Sequence, residues 1–148
     1  MRPRQGFTLF ELLLVLVIAG IVMTTVVPSI AGSFAQTQLQ RAATVIAADL
    51  QLAYSMAARQ RRPVRVTIDT DDKVLRVLNF ESPDTTYSER WFSSDSEQPV
   101  QTLGASPTTL VVYPNGLASG GLTITLGAAD DVRVIDMNRA GQVRVRDE

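Results

Sequence analysis

"RQGFTLFELLLVLVIAG", residues 4–20, opens an apolar run with a carboxylate inside it. From Phe7 to Ala31, about 25 residues pass with Glu11 as the only charge, and about 20 suffice for a helix to span a bilayer. A charge at the centre of such a helix costs about 2.5–3.5 kcal/mol, so Glu11 needs a reason to be there. Arg2 and Arg4 sit on the N-terminal side of the run. By the positive-inside rule the N-terminus stays cytoplasmic, and the chain after Val27 is exported.

Two ordinary explanations compete. A cleaved secretory signal would put a small-x-small site after the run, and Ala31-Gly32-Ser33 is a weak candidate. The run is longer than a usual signal core, however, and continues into a strong amphipathic helix. A plain single-pass anchor explains the length and the arginines, but neither Glu11 nor the Gly6-Phe7 junction.

Gly6, Phe7, Thr8, Leu9, Phe10 and Glu11, followed by the apolar run, resemble the type IV pilin and type II secretion pseudopilin superfamily. The resemblance implies that residues 1–6 are a leader removed by a prepilin peptidase between Gly6 and Phe7. It also implies that Phe7 is then N-methylated. Glu11 becomes the fifth mature residue, which in this superfamily is thought to meet the terminal amine of a neighbouring subunit. An amine and a carboxylate are each costly in an apolar medium, and paired they offset one another.

Downstream, Gly20 and Pro28 interrupt the helical pattern. Proline removes a backbone hydrogen bond and tends to kink a helix, and glycine costs about 1 kcal/mol against alanine. The resemblance implies helix flexibility at Gly20 and Pro28 during assembly. The alternative for Gly20 is close packing between membrane helices. From Phe34 onward Leu39, Ala42, Ala43, Ile46, Leu50, Ala53 and Ala57 recur at three- and four-residue steps, the mark of one buried helix face. Arg59, Arg61 and Arg62 are expected in the last turn, with Pro63 as the stop. A helix over 7–62 would be roughly 80 Å long. Its first half, 7–31, is assigned to the membrane or filament core, and its second half, 32–62, to packing on a domain.

After Pro63 the period changes to two. Val64, Val66 and Ile68 alternate with polar residues, and a hairpin to residues 73–80 is expected across the Asp69–Asp72 turn. Residues 81–107 read as irregular, with room for one short strand near Trp91 or Val100. Strands are expected at 108–113, 122–126, 132–137 and 142–146, separated by Gly- and Asn-containing turns. The fold class is therefore α+β: a long N-terminal pilin-like helix on an antiparallel β-domain spanning 63–148. "VVYPNGLASGGLTITLG" and "VRVIDMNRAGQVRV" in this order, with the junction "LAYSMAARQRRPVRVTI", resemble the H-type minor pseudopilins and the related T-type minor pilins.

Composition narrows the chemistry. The 148 residues contain no cysteine and no histidine, and the net charge is −1. Thiol nucleophiles, disulfides and imidazole bases are excluded. Asp69, Asp71 and Asp72 lack the glycine and distal glutamate of an EF-hand, so a solvated turn is expected there, and likewise at Asp130 and Asp131. No metal, cofactor or catalytic residue is expected. Arg59, Arg61, Arg62 and Arg65 form one basic cluster, and Arg139, Arg144 and Arg146 another. T-type minor pilins can bind DNA through a terminal Gly-Arg-x-Arg motif, and this chain has Gln142 where that motif's first arginine stands. Simple alternation would turn Val143 and Val145 inward and Arg144 and Arg146 to water, so nucleic acid is not expected as a partner.

The resemblance implies a structural subunit of the periplasmic pseudopilus of a type II secretion system, inserted first in the bacterial inner membrane. Its partners would be other major and minor pseudopilins, the prepilin peptidase and the inner-membrane assembly platform. The alternatives are a minor pilin of a type IV pilus serving DNA uptake, and a single-pass membrane-anchored binding domain that never polymerises.

Overall fold

The structure is a computed structural model that describes residues 8–129 and 131–147, without the side chains of 24–33. One helix, α1 (Leu9–Gln60), precedes eight strands. The chain divides into two compact units, one ending at Phe34 and the other running from Ala35 to Glu148. The first unit carries the apolar run.

In the second unit α1 presents the face expected from the sequence. Leu39, Ala42, Ala43, Ile46, Leu50, Ala53 and Ala57 are all buried. The helix ends at Gln60, two residues earlier than expected. Pro63 disfavours helical backbone at the residue before it, so the chain turns at Arg61, which takes a left-handed φ of 53°.

The strands then run in order: β1 (Val64–Asp69), β2 (Val74–Asn79), β3 (Thr86–Trp91), β4 (Thr102–Ser106), β5 (Thr109–Val112), β6 (Leu122–Ala128), β7 (Asp131–Met137) and β8 (Val143–Asp147). They form two four-stranded sheets with the orders β3-β2-β1-β5 and β4-β6-β7-β8. All pairings are antiparallel. In β1, Val64, Val66 and Ile68 are buried and the residues between them are half-buried, as the period of two requires. The helix face and the inner residues of both sheets make one hydrophobic core.

Two expectations need correction, and a third is met in part. Residues 81–107 hold two strands, β3 and β4, where one was expected. β3 is an edge strand with irregular exposure, and its register against β2 shifts at Val77/Leu78, so it carries no alternating signal. The same segment also supplies Phe92 and Val100 to the core. Asp131 is the first residue of β7, opposite Ala128, rather than part of a turn pair; Asp130 lies outside the described residues. Val145 lies on the inward face, opposite the buried Ile135, as expected, but it is 43% exposed, because β8 is an edge strand and only its first residue, Val143, packs against the core.

Candidate functional site

Thr8 is the N-cap of α1 and Glu11 its third helical residue. The Glu11 backbone N–H donates to Thr8 Oγ1 at 3.2 Å, and the Thr8 N–H donates to Glu11 Oε2 at 3.5 Å. This is a capping box, in which two helix-end donors are satisfied reciprocally. The Thr-x-x-Glu spacing of Thr8 and Glu11 is itself a sequence signature of such a box. The return bond is long, near the limit of a hydrogen bond, so the carboxylate is held loosely and remains accessible.

C-terminal to the cap, every large apolar residue from Leu9 to Met23 is exposed, from Leu14 at 49% to Leu9 at 83%. A contiguous apolar surface of this extent marks an interaction surface for protein or lipid. Among the described residues no helix is long and apolar enough to cross a membrane. The expected span of 7–31 includes Phe7, which is not described, and the side chains of 24–31, which are not described either. Gly6 and Phe7, the expected cleavage and methylation positions, lie outside the described residues, as does the side chain of Pro28. Gly20 lies within α1, and a side chain there would meet open space. Among the described residues no neighbour accounts for its small size.

The expected aspartate turn is built around Asp69. Its Oδ1 accepts the backbone N–H groups of Asp71 at 3.1 Å and Asp72 at 3.0 Å, so this carboxylate stabilises the hairpin turn itself. The expected basic clusters are divided among local partners. Arg62 pairs with Glu81 at 3.0 Å, and Arg65 stacks on Phe80 with its guanidinium carbon 4.8 Å from the ring centre. Arg139 Nε donates to the Ala118 carbonyl at 3.3 Å. Arg144 and Arg146 both lie exposed on β8, and Arg146 pairs with Asp136 at 2.9 Å.

Two buried ionic residues escaped the sequence reading. Asp49, on the inner side of α1 and 3% exposed, accepts from Ser88 Oγ at 3.1 Å and Arg90 Nε at 2.9 Å, tying α1 to edge strand β3. Arg133, on β7, is also buried and pairs with Asp147 near the end of β8. The only available signal was Asp49 standing among the apolar residues of the helix face.

Residues 42–141, most of the second unit, match the family described as Type II transport protein GspH. The chain belongs to the GspH family. Residues 1–27 separately match the prokaryotic N-terminal methylation motif. Two solved structures share the GspH-like fold seen here. The type IV minor pilin FimU of Pseudomonas aeruginosa is 23% identical with a TM-score of 0.60, over 75% of this chain and 90% of that one. The minor pseudopilin EpsH of the Vibrio cholerae type 2 secretion system is 18% identical with a TM-score of 0.51, over 73% of this chain and 95% of that one. No curated protein sequence matches significantly. The GspH assignment and the fold agree with the expected H-type pseudopilin resemblance, and the long N-terminal helix with antiparallel sheets is the α+β arrangement expected.

Proposed function

We propose that this GspH-family chain is a minor pseudopilin, a structural subunit of the periplasmic pseudopilus of a type II secretion system. The observation that carries this reading is the GspH match over 42–141 behind an N-terminal methylation motif over 1–27. In this reading the chain is inserted in the inner membrane by its apolar run, with the N-terminus cytoplasmic and the β-domain periplasmic. Prepilin peptidase cuts between Gly6 and Phe7 and methylates Phe7. The run then moves from lipid to a core of neighbouring pseudopilin helices, with help from the inner-membrane assembly platform, and the helix can yield at Gly20 and Pro28. The protein acts as a building block rather than a catalyst.

Glu11 has two successive partners in this scheme: the Thr8 N–H in a single copy, and the Phe7 amine of a neighbour in the filament. The change of partner is supported by the long 3.5 Å return bond of the capping box. Glutamine at the third helical position can also serve in a capping box. Glu11→Gln should therefore keep the helix start and lose the charge, whereas Glu11→Ala loses both. Both variants are expected to be processed normally and to fail to co-purify with sheared pseudopilus. Normal incorporation of Glu11→Gln would refute the ion-pair role.

The test of the whole reading is mass spectrometry of the protein from its native membrane. The expected product starts at Phe7 and carries one added methyl group. A chain retaining residues 1–6 would point to the non-polymerising anchored domain. The likeness to FimU favours a second reading, a minor pilin of a type IV pilus. Deleting the gene should abolish secretion of exoproteins under the first reading, and surface pili under the second.

A further inference from the structure

The turn that ends α1 holds an arginine where the backbone disfavours one. Arg61 has a φ of 53°, the left-handed position after a helix that glycine or asparagine usually fills. A residue with a Cβ is strained there. Pro63 explains the turn but not the arginine in it. The Arg61 side chain is exposed, as is that of Arg59. Among the described residues no ion pair engages either one. A strained residue that the chain does not use internally points to a use outside it.

The surroundings show what that use requires. Val64 pairs with Asn79 of β2 and with Val112 of β5. Phe80 and Tyr113, each the next residue of its chain segment, therefore emerge at the same end of the sheet as Arg61. They are 37% and 42% exposed, and Leu117 is 43% exposed beside Tyr113. The Tyr113 N–H donates to the Leu117 carbonyl at 2.9 Å, and the Leu117 N–H donates to Asn115 Oδ1 at 3.1 Å, so this loop is held in one shape. Arg65, on the outward face of β1, has its guanidinium over the Phe80 ring. The acids of this end are Glu81, taken by Arg62 at 3.0 Å, and Asp84, and residues 113–121 contain none. The end of the domain is thus basic, with aromatic and aliphatic side chains set among the arginines.

Arginine and aromatic side chains are the residues enriched in protein interfaces. Stacking on Phe80 fixes the Arg65 fork in place, which lowers the ordering cost of binding a carboxylate. Phe80 already carries a guanidinium over its ring, so it is a poor platform for a nucleobase. The same surface of a second copy would set arginine against arginine, which opposes association. We propose that this end of the domain docks a different pseudopilin, one that presents carboxylates beside an apolar side chain. Arg59, Arg61 and Arg65 meet the carboxylates, and Phe80, Tyr113 and Leu117 meet the apolar group. The inference rests on the subunit reading above, and it names the surface used and the chemistry of the neighbour.

The test uses the full chain in membranes of its native host, with a photoreactive benzophenone amino acid in place of Leu117. Mass spectrometry of the crosslinked peptide identifies both the partner and the point of contact. The expected product joins this position to a different pseudopilin, at a peptide with aspartate or glutamate beside an apolar residue. Arg59→Glu together with Arg61→Glu should abolish the product, and reversing the captured carboxylates to arginine should restore it. Arg61→Gly separates docking from folding. Glycine suits the left-handed position, so the denaturant midpoint should hold or rise while the crosslink weakens. A lower midpoint, or an unchanged crosslink, would show that Arg61 serves the fold alone and would overturn the proposal. So would capture of a second copy, of nucleic acid or lipid, or of a protein surface without carboxylates, and so would no capture at all. The mass of the chain in the same sample keeps the two readings apart. A chain that starts at Phe7 but gives no such product sinks this contact alone, and a chain that retains residues 1–6 sinks the pseudopilin reading.

Discussion

Gly141 shows how much one residue decides in the β7–β8 turn. It adopts a φ of 77°, and a side chain there would lie 2.9 Å from the ring of Tyr54. Gly141→Val should therefore destabilise the protein by at least the roughly 1–2 kcal/mol cost of left-handed backbone at a non-glycine residue, seen as a lower denaturant midpoint. Tyr54 itself donates its hydroxyl to the Arg139 carbonyl at 3.2 Å. Burial pushes its phenol above the ordinary value of 10.0. The folded state thus favours the neutral form. The resulting stability is fully present below the unfolded value near 10 and is lost as pH rises through the higher folded value. Tyr54→Phe should cost about 1 kcal/mol at neutral pH through the lost hydrogen bond. Its deficit against the parent should shrink above pH 10, as chemical denaturation across that range will show. A constant deficit at every pH would contradict this account.

At the scale of elements, polar contacts through Asp49 tie α1 to β3. Asp49 is nearly inaccessible, whereas the side chain of Arg90 is 48% exposed. Removing the carboxylate frees Arg90 to hydrate, so the loss is bounded by the hydrogen bonds themselves. Asp49→Ala should cost about 1.5–3 kcal/mol, the range for hydrogen bonds to a charged group. The damage should be local, with faster amide hydrogen exchange in β3 and little change in β6 and β7. Uniform acceleration across both sheets would show instead that Asp49 supports the whole core.

For the whole molecule, the second unit has a single core to which α1 and both sheets contribute. Ile46 is fully buried within it. Ile46→Ala should cost about 2–5 kcal/mol. In the full-length protein in detergent, Trp91 fluorescence and the far-ultraviolet signal of the strands should shift together, since the chain's one tryptophan reports on the shared domain. Two separate transitions within that domain would show that the sheets fold independently.

The helix face, the first hairpin and the last four strands were legible because each repeats a period the backbone imposes: 3.6 residues for α1 and two for strands with one face on the core. The N-terminal methylation motif over 1–27 was legible as a local pattern. β3 and β4 were not, because an edge strand pairs on one side only and its side chains need not alternate. Asp49 and Arg133 were not legible as a supporting pair of ionic anchors, since each finds its partner only where distant segments meet. Val145 reads inward from alternation and lies on that face, opposite Ile135, but its place on an outer strand leaves it partly uncovered. Local backbone periodicity thus determined which segments become helix or strand. Which strands lie at an edge, and which charges are neutralised within the chain, were decided by the tertiary structure, because ion pairing and burial depend on spatial neighbours.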